Sequence, residues 1–334
     1  VSYEGWFRAV ARLAAELRSR GVERGDRVAL AMRNLPEWPV AFFAATTIGA
    51  ICVPLNAWWT GPELAFELAN SGSKLLVCDA ERWERIVPHR GDLPELETVF
   101  VSRGDAAGGE RLEDIIGTPS DYGALPAAEL PEVEIASDDE ATIFYTSGTT
   151  GQPKGALGTH RNLCTNIVSS AYNGAFAALR RGEEPPAPVQ KVGLTVIPLF
   201  HVTATHPLFL LSLPAGAKIT LMHKWDPEQA VRLIRDNSIT RFLGVPTQSA
   251  ELMEAAVKMG ETLPSLDYLG AGGAKRPGAQ GAKRAEAFPN AGVTTGWGMT
   301  ETNALGIGMI GDDYKARPDS AGKLHPPVQE LRML

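Results

Sequence analysis

One stretch of the chain combines residue types that bind phosphate groups. Residues 146–155 read Thr-Ser-Gly-Thr-Thr-Gly-Gln-Pro-Lys-Gly and directly follow an apolar strand predicted at residues 142–145. Glycines let backbone N–H groups turn toward an anion, hydroxyls donate further hydrogen bonds, and Lys154 adds positive charge. A flexible surface turn has a similar composition, but the buried strand before this loop favours a polyphosphate site. The loop is not a Walker sequence, because Gly155 follows Lys154 where that pattern requires Ser or Thr. A kinase or GTPase is therefore disfavoured.

A second group of candidate residues lies nearer the C-terminal end. Gly298, Met299, Thr300 and Glu301 follow a strand predicted at residues 293–295. In open α/β sheets, ligands bind outside the carboxyl ends of the strands. Taken alone, Glu301 is typical of a solvated loop. Its position in this motif instead indicates a ligand-binding segment.

These motifs are embedded in a regular alternation of strand and helix patterns. Strands are predicted at 27–32, 51–53, 74–78, 98–101, 142–145, 192–197, 218–222, 241–244, 268–269 and 293–295. Helices are predicted at 3–17, 36–47, 62–71, 162–175, 204–213, 227–236, 246–259 and 280–287. The alternation predicts an α/β fold with two sheets of largely parallel strands covered by helices. A break at 103–140, rich in Gly, Pro and acidic residues, suggests subdomains of about 1–140 and 141–334.

The composition narrows the class of protein. The chain has 334 residues, of which 44% are hydrophobic and 21% charged, so it can bury a large core. A net charge of -7 disfavours a nucleic-acid partner, whose phosphates require clustered Lys and Arg. Three widely spaced cysteines form neither a disulfide framework nor a zinc ligand set, which favours a reducing, cytoplasmic compartment. The longest apolar stretches, 40–55 and 207–213, are too short or too interrupted to span a bilayer as a transmembrane segment.

Nearly the whole chain resembles one enzyme family. Tyr145–Gly155 closely resembles the phosphate-loop signature of the adenylate-forming superfamily, which includes acyl- and aryl-CoA synthetases, nonribosomal peptide adenylation domains and beetle luciferases. Further motifs occur in the family's order, namely residues 25–28, 54–56, 198–201, 244–247, 272–274, 296–302 and 320–323. The chain is most similar to the N-terminal domain of an AMP-dependent acyl-CoA synthetase. The resemblance implies activation of a carboxylic acid with ATP and Mg²⁺, followed by transfer of the acyl group to coenzyme A.

The resemblance also implies roles in ATP binding for the two motifs. Thr300 would contact a phosphate and Glu301 would hold Mg²⁺, a hard cation that binds carboxylates together with phosphate oxygens. Trp297 stands where many relatives have a Tyr that lies against adenine, although a tryptophan is often simply a core residue. The other residues implied in nucleotide binding are Thr146, Ser147, Gly148, Thr149, Thr150, Gly151, Lys154, Gly272, Gly273, Ala274, Gly298 and Met299.

A third set of residues is implied for the acid substrate. His201 corresponds to the family residue beside the substrate carboxylate, and the acyl pocket would also include Val202, Gly272, Gly298 and Met299. Peptide-synthetase domains usually carry an acidic residue near this point to hold the substrate amine, and none occurs at 192–213. We therefore expect a fatty or other apolar acid. Direct catalytic roles are implied for Lys154, His201, Thr300 and Glu301.

Several alternatives remain open at the level of sequence. An aryl-acid ligase or a carrier-protein-loading enzyme would share every ATP motif. The chain begins at Val1 and ends at Leu334, and we expect it to lack the family's small C-terminal domain, with the ribose-binding acid, the hinge and the adenylation lysine. A nucleotide or acyl-AMP binding module with little activity is then a further alternative. A small-molecule acid is the expected partner, and a homodimer stays open beside a monomer.

Overall fold

The fold was determined as a computed structural model. It describes residues 1–147, 151–180, 182, 189–274, 288, 290–317, 319–324, 330 and 332, without the side chains of residues 177, 178, 180, 293, 310, 312 and 315. Within these residues the chain divides into two compact units. Unit 1 comprises 1–163 and 199–201, and unit 2 comprises 164–198 and 202–334. The break at 103–140 lies inside unit 1, and the subdomain limits of about 1–140 and 141–334 stay a prediction.

Unit 1 is built on a mostly parallel sheet of strands β1 to β7. The described strands are ordered β5-β4-β3-β1-β2-β6-β7, and only the β6–β7 pair is antiparallel. Their bounds are β1 Arg27–Ala31, β2 Ile51–Pro54, β3 Ser73–Asp79, β4 Thr98–Ser102, β5 Glu110–Arg111, β6 Glu140–Thr146 and β7 Lys154–Thr159. Strands β2 and β3 are almost completely buried, as expected for parallel strands covered on both faces.

The helices of unit 1 are amphipathic or short, except for Glu37–Thr46, which is buried on nearly all sides. They are α1 Tyr3–Ser19, α2 Glu37–Thr46, α3 Gly61–Ser71, α4 Ala80–Ile86 and α5 Glu113–Ile116, with 3-10 turns at Val87–Asp92 and Tyr122–Ala124. Helix α3 begins with a capping box in which the Thr60 backbone N–H donates to the Glu63 carboxylate, 2.8 Å away. Gly72 ends the helix in the left-handed conformation that glycine adopts without strain. The two caps therefore set the first and last residues of α3, the helix whose apolar face packs on the core of the sheet.

Unit 2 contains a second sheet of the same kind. Its described strands are ordered β13-β12-β11-β10-β8-β9, and the β12–β13 pair is antiparallel. The bounds are β8 Val192–Thr195, β9 Lys218–Leu221, β10 Arg241–Gly244, β11 Tyr268–Ala271, β12 Gly292–Gly298 and β13 Gly306–Ile310. The carboxyl ends of β8, β10, β11 and β12 lie at one edge, because these strands are parallel. This edge is where loop residues can gather around a ligand.

The remaining helices flank the second sheet or connect to it. Helix α6, His160–Arg180, runs from unit 1 into unit 2, and the others are α7 Val202–Ala204, α8 Pro227–Asp236, α9 Pro246–Met259 and α10 Asp312–Ala316. A π-helical turn, Thr205–Leu210, directly continues α7, and a 3-10 turn covers Thr300–Thr302. In the described part of the chain, no helix is long and apolar enough to cross a membrane.

The predicted α/β class is correct, while several local predictions differ from the structure. The strand predicted at 192–197 ends at Thr195, and the helix predicted at 204–213 begins at Val202 and turns π-helical. Strands β7 and β13 were not predicted, because their Gly-containing sequences carry a weak strand signal. The helix predicted at 280–287 lies outside the described residues.

Candidate functional site

The predicted phosphate loop connects the last two strands of the first sheet. Strand β6 ends at Thr146, β7 starts at Lys154, and these two residues are paired in the antiparallel register. The Thr146 hydroxyl donates to the Lys154 carbonyl at 3.4 Å, which joins the two ends of the loop. Ser147, Gly151 and the Lys154 side chain are exposed. Gly148, Thr149 and Thr150 lie outside the described residues. The described part of the loop therefore presents hydroxyl, backbone and ammonium groups to solvent at the carboxyl end of β6.

Glycines are required at two positions of this hairpin. Gly151 has a φ of 95°, a conformation that residues with a Cβ rarely adopt. A Cβ at Gly155 would lie 2.6 Å from Cγ2 of Ile143 on the neighbouring strand. Gly151 and Gly155 are therefore required by the backbone geometry of the hairpin.

The strand that precedes the loop is fixed to helix α3. The Tyr145 hydroxyl donates to Oδ1 of Asn70 at 2.7 Å and to the Glu67 carbonyl at 3.3 Å. Burial raises the pKa of Tyr145 to about 12, so the phenol stays protonated near neutral pH. The Glu67 side chain is fully buried nearby, and neither carboxylate oxygen has a hydrogen-bond partner among the described residues. Burial, followed by repulsion from Glu63, raises the pKa of Glu67 to about 9.

His201 belongs to a short segment held by unit 1. The Leu199 backbone N–H donates to Oδ1 of Asn34 at 2.8 Å. The Phe200 ring packs edge-on against Trp58, with ring centroids 5.4 Å apart, and the Arg33 guanidinium lies over the same Trp58 ring. Loss of surrounding water lowers the pKa of His201, which keeps the imidazole neutral near pH 7. A neutral imidazole can donate a hydrogen bond to the carboxylate of an acid substrate, or accept one from its protonated form.

Val202 and the 272–274 segment lie in unit 2. Val202 is buried at the start of α7. Gly272 directly follows β11, and its N–H donates to the Gly244 carbonyl at the end of β10. A Cβ at Gly272 would lie 3.4 Å from Cγ2 of Thr203, while Gly273 has a φ of 79°. Gly273 and Ala274 are exposed. Small residues therefore leave the backbone open at this edge of the sheet, which fits the approach of a flat base.

The second predicted motif forms the turn of the β12–β13 hairpin. The Met299 carbonyl accepts hydrogen bonds from the Thr302 and Ala304 N–H groups, at 3.2 and 2.9 Å. The Thr302 hydroxyl accepts from the Met299 N–H and also donates to the Met299 carbonyl. We call residues 299–304 the acidic turn. Trp297 and Met299 are 45% and 41% exposed on either side of Gly298, so both side chains are accessible to a ligand.

Two glycines allow the strands beside the acidic turn to approach closely. Gly298 and Gly306 are paired across the hairpin. A Cβ at Gly298 would lie 2.4 Å from the Ala304 carbonyl oxygen, and one at Gly306 would lie 1.8 Å from the Trp297 carbonyl oxygen. Neither contact is sterically allowed, so the hairpin geometry depends on both glycines.

The acidic turn has the chemistry to hold a cation together with a phosphate ligand. Glu301 is exposed, and no ion pair among the described residues involves it. The described chain contains no cluster of three His, Cys, Asp or Glu side chains that could hold a metal. Mg²⁺ fits such a place, since it commonly binds one or two carboxylates and takes its other ligands from phosphate and water.

The two sheets each position part of the predicted site. Thr146, Ser147, Gly151, Lys154 and His201 lie in unit 1. The unit 2 residues are Val202, Gly272, Gly273, Ala274, Trp297, Gly298, Met299, Thr300 and Glu301. Within unit 2, the 272–274 segment and the acidic turn follow the adjacent parallel strands β11 and β12, so they share one sheet edge. The assigned roles of these residues remain predictions.

Sequence reasoning missed the polar residues that support the acidic turn. Asn166 and His206 are buried in unit 2, and both contact Asn303. A polar residue inside the apolar pattern of helix α6, and a second histidine five residues after His201, are the signals that could have drawn attention to them.

The chain is similar to known CoA ligases over most of its length. The AMP-binding enzyme family matches residues 1–334. The chain is 30% identical over 324 residues to 4-coumarate–CoA ligase 3 of Oryza sativa subsp. japonica. The aligned region covers 93% of this chain and 54% of the rice protein. It is 32% identical over 305 residues to a feruloyl-CoA synthase of Amycolatopsis, covering 90% of this chain and 54% of that protein.

A long-chain-fatty-acid–CoA ligase is similar to the same extent, and a solved N-terminal domain from the same organism has a similar fold. Long-chain-fatty-acid–CoA ligase FadD13 of Mycobacterium tuberculosis is 30% identical over 315 residues, covering 93% of this chain and 57% of that protein. The inhibitor-bound N-terminal domain of FACL13 from Mycobacterium tuberculosis superposes with a TM-score of 0.80 at 28% identity, covering 95% of this chain and 74% of that one. The chain spans about half the length of the curated relatives it matches. With a family match over all its residues and the fold of an acyl-CoA synthetase N-terminal domain, this chain belongs to the AMP-binding enzyme family of adenylate-forming enzymes.

Proposed function

We propose that this protein takes part in the ATP-dependent activation of an apolar carboxylic acid, with a fatty acid as the first candidate. A substrate carboxylate oxygen would attack the α-phosphorus of ATP, and the bond to pyrophosphate would break. The thiol of coenzyme A would then attack the acyl carbonyl, and AMP would leave. The observation that carries this proposal is the exposed acidic turn at the carboxyl end of β12, inside a family match over the whole chain.

The loop of unit 1 would bind phosphate oxygens. The described glycines, Gly151 and Gly155, are exposed, and so are Ser147 and Lys154. An ammonium group in this position offsets the negative charge of a polyphosphate. Tyr145 and Asn70 hold the preceding strand, so the loop projects from a fixed base. Positioning and charge neutralisation are the main contributions a protein makes to chemistry at phosphorus.

The acidic turn of unit 2 would bind the Mg²⁺ complex of the nucleotide. The Thr300 hydroxyl would donate to a phosphate oxygen, and the Glu301 carboxylate would hold the cation. Mg²⁺, when bound, neutralises charge on the phosphate oxygens. Trp297 and the 272–274 segment would contact adenine, and both are at least partly exposed at the same sheet edge.

The acid itself would be recognised by neutral and apolar groups. His201 has a lowered pKa, so it would contact the carboxylate as a neutral imidazole. Met299 and Val202 would contribute to the acyl pocket with Gly272 and Gly298. Residues 192–213 contain no Asp or Glu that could pair with a substrate amine, which supports an apolar acid over an amino acid. An aryl acid is the second candidate, because a coumarate ligase and a feruloyl-CoA synthase are as similar to this chain as the fatty-acid ligase.

Substitution of Thr300 tests the nucleotide site. We expect Thr300→Ala to weaken binding of a non-hydrolysable acyl-adenylate mimic by about tenfold to a hundredfold, since a hydrogen bond to a charged group contributes about 1.5–3 kcal/mol. The measurement is calorimetric titration of this chain with mimics that carry a fatty, an aryl or an aminoacyl group. Thr295→Ala is the matched control, because Thr295 lies on the same strand but outside the acidic turn.

The acyl group of the mimic tests the substrate class in the same titrations. Tightest binding of the fatty mimic supports the first candidate, and tightest binding of the aryl mimic supports the second. Preference for the aminoacyl mimic, or equal binding by Thr300→Ala and the unsubstituted chain, would contradict the proposal.

A further inference from the structure

The acidic turn contains two consecutive residues in a strained backbone conformation. Asn303 and Ala304 have φ values of 53° and 59°, in the left-handed region. Asn tolerates this region better than most residues, but Ala has no side-chain polar group to compensate for its Cβ. Such strain persists only where the surrounding structure holds the backbone in place. The residues that hold Asn303 therefore control the shape of the turn that carries Thr300 and Glu301.

Helix α6 holds the main chain of Asn303. The side-chain amide of Asn166 donates to the Asn303 carbonyl at 2.5 Å. Asn166 is 1% exposed, so this hydrogen bond forms away from water, where loss of the donor leaves the carbonyl poorly satisfied. The two residues are 137 positions apart in the sequence. The contact joins the turn to an element outside its own hairpin.

The π-helical turn places a buried histidine beside the side chain of Asn303. His206 lies in Thr205–Leu210 and is completely buried, and polar groups of the Asn303 side chain and the Val202 backbone oppose the lowering of its pKa by burial. Single π-helical turns are rare, and they frequently occur at functional sites. The irregular helix brings a buried polar group to the Asn303 side chain, while the Asn303 main chain accepts the hydrogen bond from Asn166.

We propose that Asn166 is a positioning residue for the acidic turn, which it holds in its binding conformation through the Asn303 main chain, with the buried His206 beside the Asn303 side chain. This inference rests on the proposed function, because Thr300 and Glu301 are the groups whose placement it explains. Neither Asn166 nor His206 touches the nucleotide in this scheme. Their effect on binding is transmitted by the backbone of residues 299–304.

The first experiment measures the turn itself, without any ligand. Asn166→Leu keeps the number and branching of the side-chain heavy atoms and removes the donor. We expect amide hydrogen exchange at Ala304 and Leu305, whose N–H groups bond within the turn, to accelerate at least tenfold. Exchange at Met222, at the end of β9, should stay unchanged. His206→Leu should accelerate the same two amides. Ser169→Ala, a buried substitution three residues further along α6, is the control and should leave all three amides unchanged.

The second experiment is a double-mutant cycle read by binding of the acyl-adenylate mimic. Asn166→Leu should weaken binding about tenfold in the unsubstituted chain and less than twofold in Thr300→Ala, because both substitutions remove the same interaction. Equal factors in both backgrounds, or unchanged exchange at Ala304 and Leu305, would overturn the positioning role. Failure of the unsubstituted chain to bind any mimic would instead refute the proposed function, while the exchange result would still judge the contacts to Asn303.

Discussion

Gly306→Ala should abolish nucleotide-site binding while leaving most of the fold in place. The added Cβ would lie 1.8 Å from the Trp297 carbonyl oxygen and 2.8 Å from the Trp297 carbonyl carbon, so the paired strands must separate. That movement displaces the acidic turn between them. We expect binding of the acyl-adenylate mimic to fall more than about a hundredfold, and the free energy of unfolding to fall by about 1–3 kcal/mol, as for other overpacked sites. Calorimetric titration and denaturant unfolding measure the two effects.

A neighbouring glycine provides a matched control for this substitution. Gly296 lies on β12, and a Cβ there would meet its nearest neighbour, the Ile307 carbonyl oxygen, at an ordinary 3.5 Å. Gly296→Ala should therefore change binding less than about threefold. Equal losses for the two variants would show that strand flexibility, and not the close approach at Gly306, governs the turn. Unchanged binding by Gly306→Ala would remove the acidic turn from the site.

Glu67→Leu should stabilise the protein, and the gain should grow with pH. Glu67 is fully buried on the face of α3 that carries Leu64 and Leu68, and its pKa is raised from 4.5 to about 9. Between these values the unfolded chain releases the proton while the folded chain keeps it, so Glu67 lowers stability progressively as pH rises. At about 1.4 kcal/mol per pH unit above 4.5, we expect a gain of about 4–5 kcal/mol at pH 8 that shrinks toward pH 5. Chemical denaturation at several pH values measures it.

The same substitution one helical turn earlier should have the opposite sign. Glu63 is exposed and completes the capping box, and hydrogen bonds from the Thr60 backbone and hydroxyl lower its pKa. Glu63→Leu should cost about 0.5–1 kcal/mol at pH 8, and this loss should disappear as the pH falls through the native pKa of Glu63. If Glu67→Leu is destabilising at pH 8, or if its effect does not vary with pH, the buried carboxyl has a stabilising partner after all.

Local sequence signals predicted the elements that follow well-defined physical rules. Helices α8 and α9 begin at Pro227 and Pro246 and end at Asp236 and Met259, as predicted, and proline is favoured at the first helical position. Parallel strands such as β10 were recognisable as short apolar runs between polar loops. The π-helical turn at Thr205–Leu210 was not predictable in this way, because a change from α to π hydrogen bonding depends on contacts outside the helix.

The same distinction between local sequence signals and distant contacts applies to the candidate site. The residue types of the loop at 146–155 and of the motif at 298–301 were sufficient to predict anion and cation chemistry, because glycines, hydroxyls and a carboxylate have those properties in any fold. The sequence did not indicate which residues would hold these groups in position. Asn166 and Asn303 are far apart in the chain and carry no motif.

The family, the α/β class and the polar groups available for ATP chemistry could be predicted from the amino-acid sequence, since these depend on composition, periodicity and order along the chain. The supporting contacts became known from the fold. It placed Asn166 and His206 against Asn303, and it buried Glu67 without a hydrogen-bond partner among the described residues. The physical reason is that burial and hydrogen bonding between distant segments arise from packing, which a local pattern of residues does not specify.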